Sequence, residues 1–186
     1  LPHGFLTHPL QRKNAMPAIR SASDPLSTPY AALHTETPLV IDGRLDKPAW
    51  QRANVIRSFT TFGARATPIS QTEARLLWDK EHLYVAYHAL DKDVWSHLTQ
   101  RDDPTCREDV LEIFFKTHPD QEPYFNFEIN ALGTVYDAFN PRLNFAGGSF
   151  RWCHWNCADL RVGDQVHGTL NDPRDVDEGW DLEMAI

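Results

Sequence analysis

Tyr124-Phe125-Asn126-Phe127-Glu128-Ile129-Asn130-Ala131 alternates without a break, with Phe125, Phe127, Ile129 and Ala131 in one set and Tyr124, Asn126, Glu128 and Asn130 in the other. Side chains two apart on an extended chain share a face, so the stretch predicts a β-strand with one apolar and one polar side. Val110-Leu111-Glu112-Ile113-Phe114-Phe115 reads the same way. Leu111, Ile113 and Phe115 make a core face, and Glu112 stands between Val110 and Phe114 on the other. Paired side by side, the two strands would line up Glu112, Asn126, Glu128 and Asn130 as one stripe of carboxylates and carboxamides.

The same texture extends in both directions. Thr72 to Trp78 and Leu83 to Leu90 alternate around a turn at Asp79-Lys80-Glu81-His82, which predicts a hairpin. Leu132-Gly133 leads from the central strand into another at Thr134 to Phe139, and Val166 to Leu170 and Trp180 to Ile186 add two more. One short helix is expected around Pro48 to Ala53, since proline suits a first helical turn. Short strands divided by Asp, Gly, Pro and Asn make this an all-β chain, an antiparallel β-sandwich of immunoglobulin-like or jelly-roll-like form. The last strand stops at Ile186 without a closing turn, so the sandwich is expected to be C-terminally incomplete. Residues 1–38 hold Pro2, Pro9, Pro17, Pro25, Pro29 and Pro38 among the 13 prolines and show no periodicity; they read as a leader or linker before a domain at 39–186.

Composition excludes several classes of function. Twenty-six acidic residues against 18 Lys and Arg leave a formal charge of −8, with no basic block to follow a phosphate backbone, so nucleic acid is not an expected partner. No apolar run reaches the ~20 residues of a spanning helix. Three cysteines permit at most one intrachain bridge, and Cys153-His154-Trp155-Asn156-Cys157 lacks the second ligand pair of a zinc motif. That loop is expected to hold a disulfide, with Cys106 as one partner, or free thiols. There is no HExxH, GxSxG, Walker loop or GxGxxG.

What remains is the polar stripe. Carboxylates and carboxamides beside aromatic surface suit a sugar, whose hydroxyls need donors and acceptors while its C–H face stacks on a ring. Trp152 and Trp155 flank Cys153 in a loop and are available for stacking, whereas Trp50, Trp78 and Trp180 lie in regular patterns and read as core. Asp109 and Glu112 raise a glycosidase reading, but three residues apart on one strand they would face opposite ways. The groups Asp91/Asp93, Asp102/Asp103 and Asp172/Asp175/Asp177 offer the oxygen ligands calcium prefers without matching an EF-hand loop, and each serves equally as turn-forming Asp.

Five ordered landmarks together resemble the family 9 carbohydrate-binding modules, in the family 9-like branch of DOMON-like sandwiches. They are Ile41-Asp42-Gly43-Arg44-Leu45-Asp46-Lys47-Pro48-Ala49-Trp50, with Lys47 where an acid is usual; Ala74 to Val85; Glu108 to Phe114; Phe127 to Val135; and Gly179-Trp180-Asp181-Leu182-Glu183-Met184-Ala185-Ile186. The segment His167 to Asp175 is similar to one that precedes the last Trp strand in the family 9-like branch. The resemblance covers about residues 39–186. It implies a non-catalytic, extracytoplasmic bacterial module that binds plant-type polysaccharide of the xylan or cellulose kind, carries structural calcium and serves an appended or partner glycoside hydrolase.

In the same terms it implies that Glu112 and Asn130 contact the sugar and that Glu128 falls where the family can present an arginine. Cys106 stands at the first stacking tryptophan and the second would lie beyond Ile186, so Trp95, Trp152 or Trp155 would supply the platform; Asn126, from the strand alternation, and Asp109 complete the candidate sugar contacts. Two alternatives stand beside this reading. One is a haem-binding DOMON-type sandwich, for which Met16 and Met184 are the available methionines. The other is a hydrolase of O-glycosyl bonds using Asp109 and Glu112.

Overall fold

The computed structural model describes residues 29–61, 66–141 and 155–186. The chain divides into Leu1–Tyr30 and Ala31–Ile186, and the elements described all lie in the second unit. They are β1 (Leu33–His34), α1 (Pro48–Arg52), β2 (Thr72–Trp78), β3 (Leu83–Ala89), a 3₁₀ turn (Thr105–Arg107), β4 (Val110–Phe115), β5 (Tyr124–Asn130), β6 (Val135–Asn140), β7 (Arg161–His167) and β8 (Gly179–Ala185). Two sheets form, one ordered β1-β2-β3-β8-β7 and the other β4-β5-β6. Apart from the short parallel pairing of β1 with β2, every strand pair is antiparallel. This is the all-β sandwich the alternation predicts.

The hairpin turn is fixed by Asp79. Its Oδ1 accepts the backbone N–H of Glu81 and of His82, both at 2.8 Å, and the Tyr84 hydroxyl donates to its Oδ2 at 2.6 Å. These donors, the tyrosine first, hold the carboxyl down at about 2. An Asx turn of this kind lets two apolar strands reverse without stranding backbone N–H groups.

β8 is buried at all seven positions because it lies inside its sheet and both sides of it are covered. Trp180, Leu182 and Met184 enter the core between the sheets with Val85, Tyr87, Leu111, Phe127 and Ile129. Ala185 faces a second core on the other side, with Trp50, Leu77, Tyr84 and Ala86 under the segment from Leu39 to Ala53. Two carboxylates point to this second side as well. Asp181 pairs with His88 at 2.7 Å and with His167 at 2.8 Å. Glu183, with no exposed surface, receives Lys47 Nζ at 2.8 Å on each oxygen, the Trp50 indole N–H at 2.5 Å, and the N–H groups of Asp42 and Gly43 at 3.0 and 2.9 Å.

This site also explains two glycines. Gly43 has φ of +80°, and a Cβ on it would lie 2.5 Å from the Asp164 carbonyl oxygen; a Cβ on Gly163 would lie 2.5 Å from the Gly43 nitrogen. Backbone therefore packs on backbone where the Asp42-Gly43 loop crosses β7, and neither position has room for a side chain.

The structure departs from the sequence reading at three points. The strand expected at Val166 to Leu170 is β7 at Arg161–His167, a mostly polar run that offers Val162 and Val166 to the core and is held by pairing with β8. β1 lies in residues that composition assigns to the leader, and it pairs with Leu77 and Trp78. Trp78 is 45% exposed rather than core, its indole N–H donating to the Ala32 carbonyl and its ring edge-on to His34. The strand expected at Trp180 to Ile186 is present as β8, bonded on both sides.

Breaking a buried ion pair on one side leaves a charge without compensation. Lys47→Met is expected to lower stability by about 3 kcal/mol, or roughly 6–12 °C in Tm, with part of the loss recovered in Lys47→Met/Glu183→Gln. Thermal unfolding followed by circular dichroism of the three proteins checks it.

Candidate functional site

β5 is the centre of the three-stranded sheet, and its register brings the predicted stripe together. Val110 faces Asn130, Glu112 faces Glu128 and Phe114 faces Asn126 across β4–β5, while Tyr136 and Ala138 of β6 face Glu128 and Asn126 on the other side. The opposite set, Leu111, Phe127, Ile129 and Val135, belongs to the core between the sheets. The stripe is thus on the face of this sheet turned away from the sandwich interior.

Its members are not equivalent. Asn130 is fully buried and committed inside the protein: its amide donates to the Leu98 carbonyl at 2.9 Å and to Glu108 at 3.0 Å, and its oxygen accepts the N–H groups of Leu132 and Thr134 at 3.1 and 2.9 Å. It fixes the Leu132-Gly133 turn. Asn126 and Glu128 are also buried, and the Asn126 amide donates to Glu128 Oε1 at 2.7 Å while the Thr105 hydroxyl lies 3.4 Å from Oε2. The Asn126 oxygen is buried without a partner. Glu112 and Phe114 reach outward, Phe114 being 51% exposed with its ring centroid 6.3 Å from that of Tyr124. Phe114, Phe115, Lys116 and Tyr124 line a shallow cavity of about 380 Å³ beside the carboxylates.

The carboxyl of Glu112 is pushed above the ordinary glutamate range, first by burial and then by the charge of Glu128 across the ladder. Asp109 is also raised, mainly by burial, although its Oδ2 accepts the Trp95 N–H at 2.6 Å. Asp109 therefore serves as an anchor for the strand entering β4, and the carboxylate opposed to Glu112 is Glu128. Trp95 sits at this junction, 40% exposed, edge-on to His97 at 4.9 Å.

Trp155 does not stack on the polar face. Its ring packs on Phe125 at 5.0 Å and Phe127 at 6.2 Å, on the core side of β5, where a large apolar ring gains more by burial than by waiting for a ligand. Trp152 and Cys153 lie outside the described residues. Cys106 and Cys157 are free thiols. Met184 is wholly buried in the core, which leaves it unable to reach a haem edge, and Met16 lies outside the described residues.

Several oxygens of the acidic groups are tied to neighbouring backbone and side chains. Both oxygens of Asp177 accept backbone N–H groups, from Val94 and Thr169, each at 2.7 Å, Asp103 accepts that of Gln100, and Asp172 is chelated by Arg174. These bonds brace the loops that carry the acidic residues. Among the described residues no three His, Cys, Asp or Glu side chains are grouped to hold a metal. Nor does any described helix have the length and apolarity to cross a membrane.

The polar aromatic face is thus carried by the three-stranded sheet of an antiparallel sandwich. Residues 41–140 match the family described as "Carbohydrate family 9 binding domain-like", and the chain belongs to that family. No curated protein sequence matches it. Among solved structures it is similar to a provisionally named carbohydrate-binding protein from Bacteroides uniformis, with a TM-score of 0.59 and 13% identity over 83% of this chain and 70% of that one. It is also similar to a family 9 carbohydrate-binding module from Caldicellulosiruptor kristjanssonii. The cellotriose complex gives a TM-score of 0.54 at 19% identity, over 85% of this chain and 67% of that one. The glucose complex gives 0.54 at 18%, over 83% and 66%. At these identities the likeness is one of fold.

Parity found Glu112, Asn126, Glu128 and Asn130 as one group but could not rank them. Thr105 and Glu108, which hold Glu128 and Asn130, come from a turn with no periodic signal.

A glutamate whose folded-state pKa is raised binds its proton more tightly in the native state, so stability falls as pH rises past the ordinary glutamate value. Glu112→Gln is expected to remove this fall and to gain about 0.5 kcal/mol, or roughly 1–2 °C in Tm, at pH 7, with little difference from wild type at pH 4. Melting curves across pH 4–7 test it.

Proposed function

We propose that the chain is a non-catalytic carbohydrate-binding domain whose outward β4–β5 face engages a β-linked polysaccharide of the cellulose or xylan kind. One observation carries this reading: on a single rigid sheet face, the acceptor groups of Glu112 and Glu128 lie next to the exposed Phe114 ring. Sugar hydroxyls would donate to the carboxylates while the C–H face of the ring covers Phe114 and the edge of Tyr124. Family membership and the sugar complexes of the Caldicellulosiruptor module support the same conclusion.

Its purpose would be to keep a glycoside hydrolase, joined to it or acting beside it, near an insoluble substrate outside the cytoplasm. A domain of this kind adds effective concentration rather than chemistry. The opposed carboxylates are Glu112 and Glu128, on neighbouring strands of one flat face. Nothing in the described geometry sets Asp109 across a glycosidic bond from Glu112.

Calorimetric titration with cellohexaose and xylohexaose tests the reading. Saturable heat is expected for at least one, with no sugar released. Phe114→Ala is expected to weaken binding roughly fivefold to tenfold by removing the stacking surface. The absence of saturable heat with either sugar, from protein that melts cooperatively, would sink it.

A further inference from the structure

The two glutamates on this face stand in an unusual relation. Glu112 and Glu128 are directly opposite across the ladder, a position in which Cβ atoms lie about 4.5–5.5 Å apart and like charges repel. Among the described residues neither has a cationic partner. Among those residues no donor reaches the Glu112 carboxylate, while Glu128 receives the Asn126 amide and the distant Thr105 hydroxyl. The influences acting on the Glu112 carboxyl are burial and the negative charge of Glu128, with no positive group among them. The nearest basic residues along the chain, Lys116 past Phe114 and Arg107 on the 3₁₀ turn, form no ion pair with either glutamate.

An independent observation points the same way. The Asn126 side chain is 7% exposed, and its oxygen is buried with no donor, while its amide is spent on Glu128. Among the described residues, the face therefore carries two carboxylates of like charge and a buried acceptor without a donor, and no cation is paired with them.

A neutral sugar corrects only half of this. Its hydroxyls donate to the carboxylates but leave the two charges facing each other. An ammonium group brings three donors and the missing charge together, and charge-assisted hydrogen bonds are roughly twice as strong as neutral ones. The spacing also suits a ring. Glu112 and Phe114 are two residues apart on one face of β4, about 6.5–7 Å along the strand, so a pyranose over Phe114 can place a substituent beside Glu112.

We propose that this face selects a β-1,4-linked sugar carrying a free amino group, a glucosamine-type chain, with the ammonium held between Glu112 and Glu128. The inference rests on the carbohydrate-binding reading of this face and replaces the neutral chain proposed for it with one that carries amines. It also ranks ligands: a protonated amine binds best, the neutral ring less well, and a uronic acid least.

The test uses the full chain and three hexasaccharides of the same linkage: fully deacetylated chitohexaose, N-acetylchitohexaose and cellohexaose, titrated at pH 6.5 in moderate salt. The free amine is expected to bind at least tenfold more tightly than cellohexaose. That advantage should shrink below threefold in Glu112→Gln, while cellohexaose affinity changes less than threefold. Binding of the amine should strengthen from pH 4 to pH 6.5 as Glu112 ionises, and near its titration should release protons, seen as a heat that depends on the buffer. The exposed Glu81→Gln variant controls for long-range attraction to a chain of charge −8. An equal loss of amine affinity in Glu81→Gln overturns the proposal.

Equal affinity for chitohexaose and cellohexaose overturns the amine preference and leaves the carbohydrate reading intact. Equal affinity for the acetylated and free-amine chains does the same. Failure of every sugar to bind a cooperatively folded chain overturns both. The melting temperature of Glu112→Gln, expected at or above that of wild type, shows that any loss of binding is not a loss of fold.

Discussion

A carboxylate with no exposed surface, Glu183 of β8, is the constraint on which the larger sheet depends. A buried ion costs several kcal/mol unless its lone pairs are filled and its charge is met. Lys47, Trp50 and the backbone of Asp42 and Gly43 do both, and all of them come from a segment about 140 residues earlier. This is why a helix of only five residues persists at Pro48–Arg52, when isolated helices of that length do not form in water. It is also why β8 can be buried at every position while carrying two acidic residues. The network closes the second core and places Trp50 over Tyr84 and Ala86.

The other sheet uses its polar groups differently. Asn130 and Asn126 stiffen the outward face: one holds a turn, the other holds Glu128. Glu112 is left with neither task. A rigid strand that presents one uncommitted acceptor beside an exposed aromatic ring has lost little entropy to ordering before any ligand arrives. Burying Trp155 against Phe125 and Phe127 on the reverse side makes the support beneath that face thicker, at the cost of an aromatic ring for contact.

Strand parity was legible wherever one face is apolar. β2, β3, β4, β5 and β6 alternate strongly enough for the class of fold and the composition of the polar stripe to be read from residues alone. β7 was not legible in the same way. Its Arg161-Val162-Gly163-Asp164-Gln165 run has no hydrophobic period, and its position comes from the ladder with β8 and the close crossing at Gly43. Trp78 was misplaced for a related reason: alternation says which residues share a face but not whether that face is covered. At the site, residue type and spacing grouped the amides and carboxylates. Only three-dimensional neighbours such as Leu98, Thr105 and Glu108 separate the groups that are already spent from those still free.

The place of β8 has a consequence for the order of events during synthesis. The β2–β3 hairpin can close early, but one edge of β3 stays bare until a strand 93 residues later reaches His88, and Trp50 has no carboxylate to bind until then. A nascent chain would thus display an unpaired apolar edge while the residues between β3 and β8 are made, the kind of surface that templates contacts between chains. High sequence separation makes closure slow as well. Completion of both cores therefore waits on one strand, which contributes side chains to each.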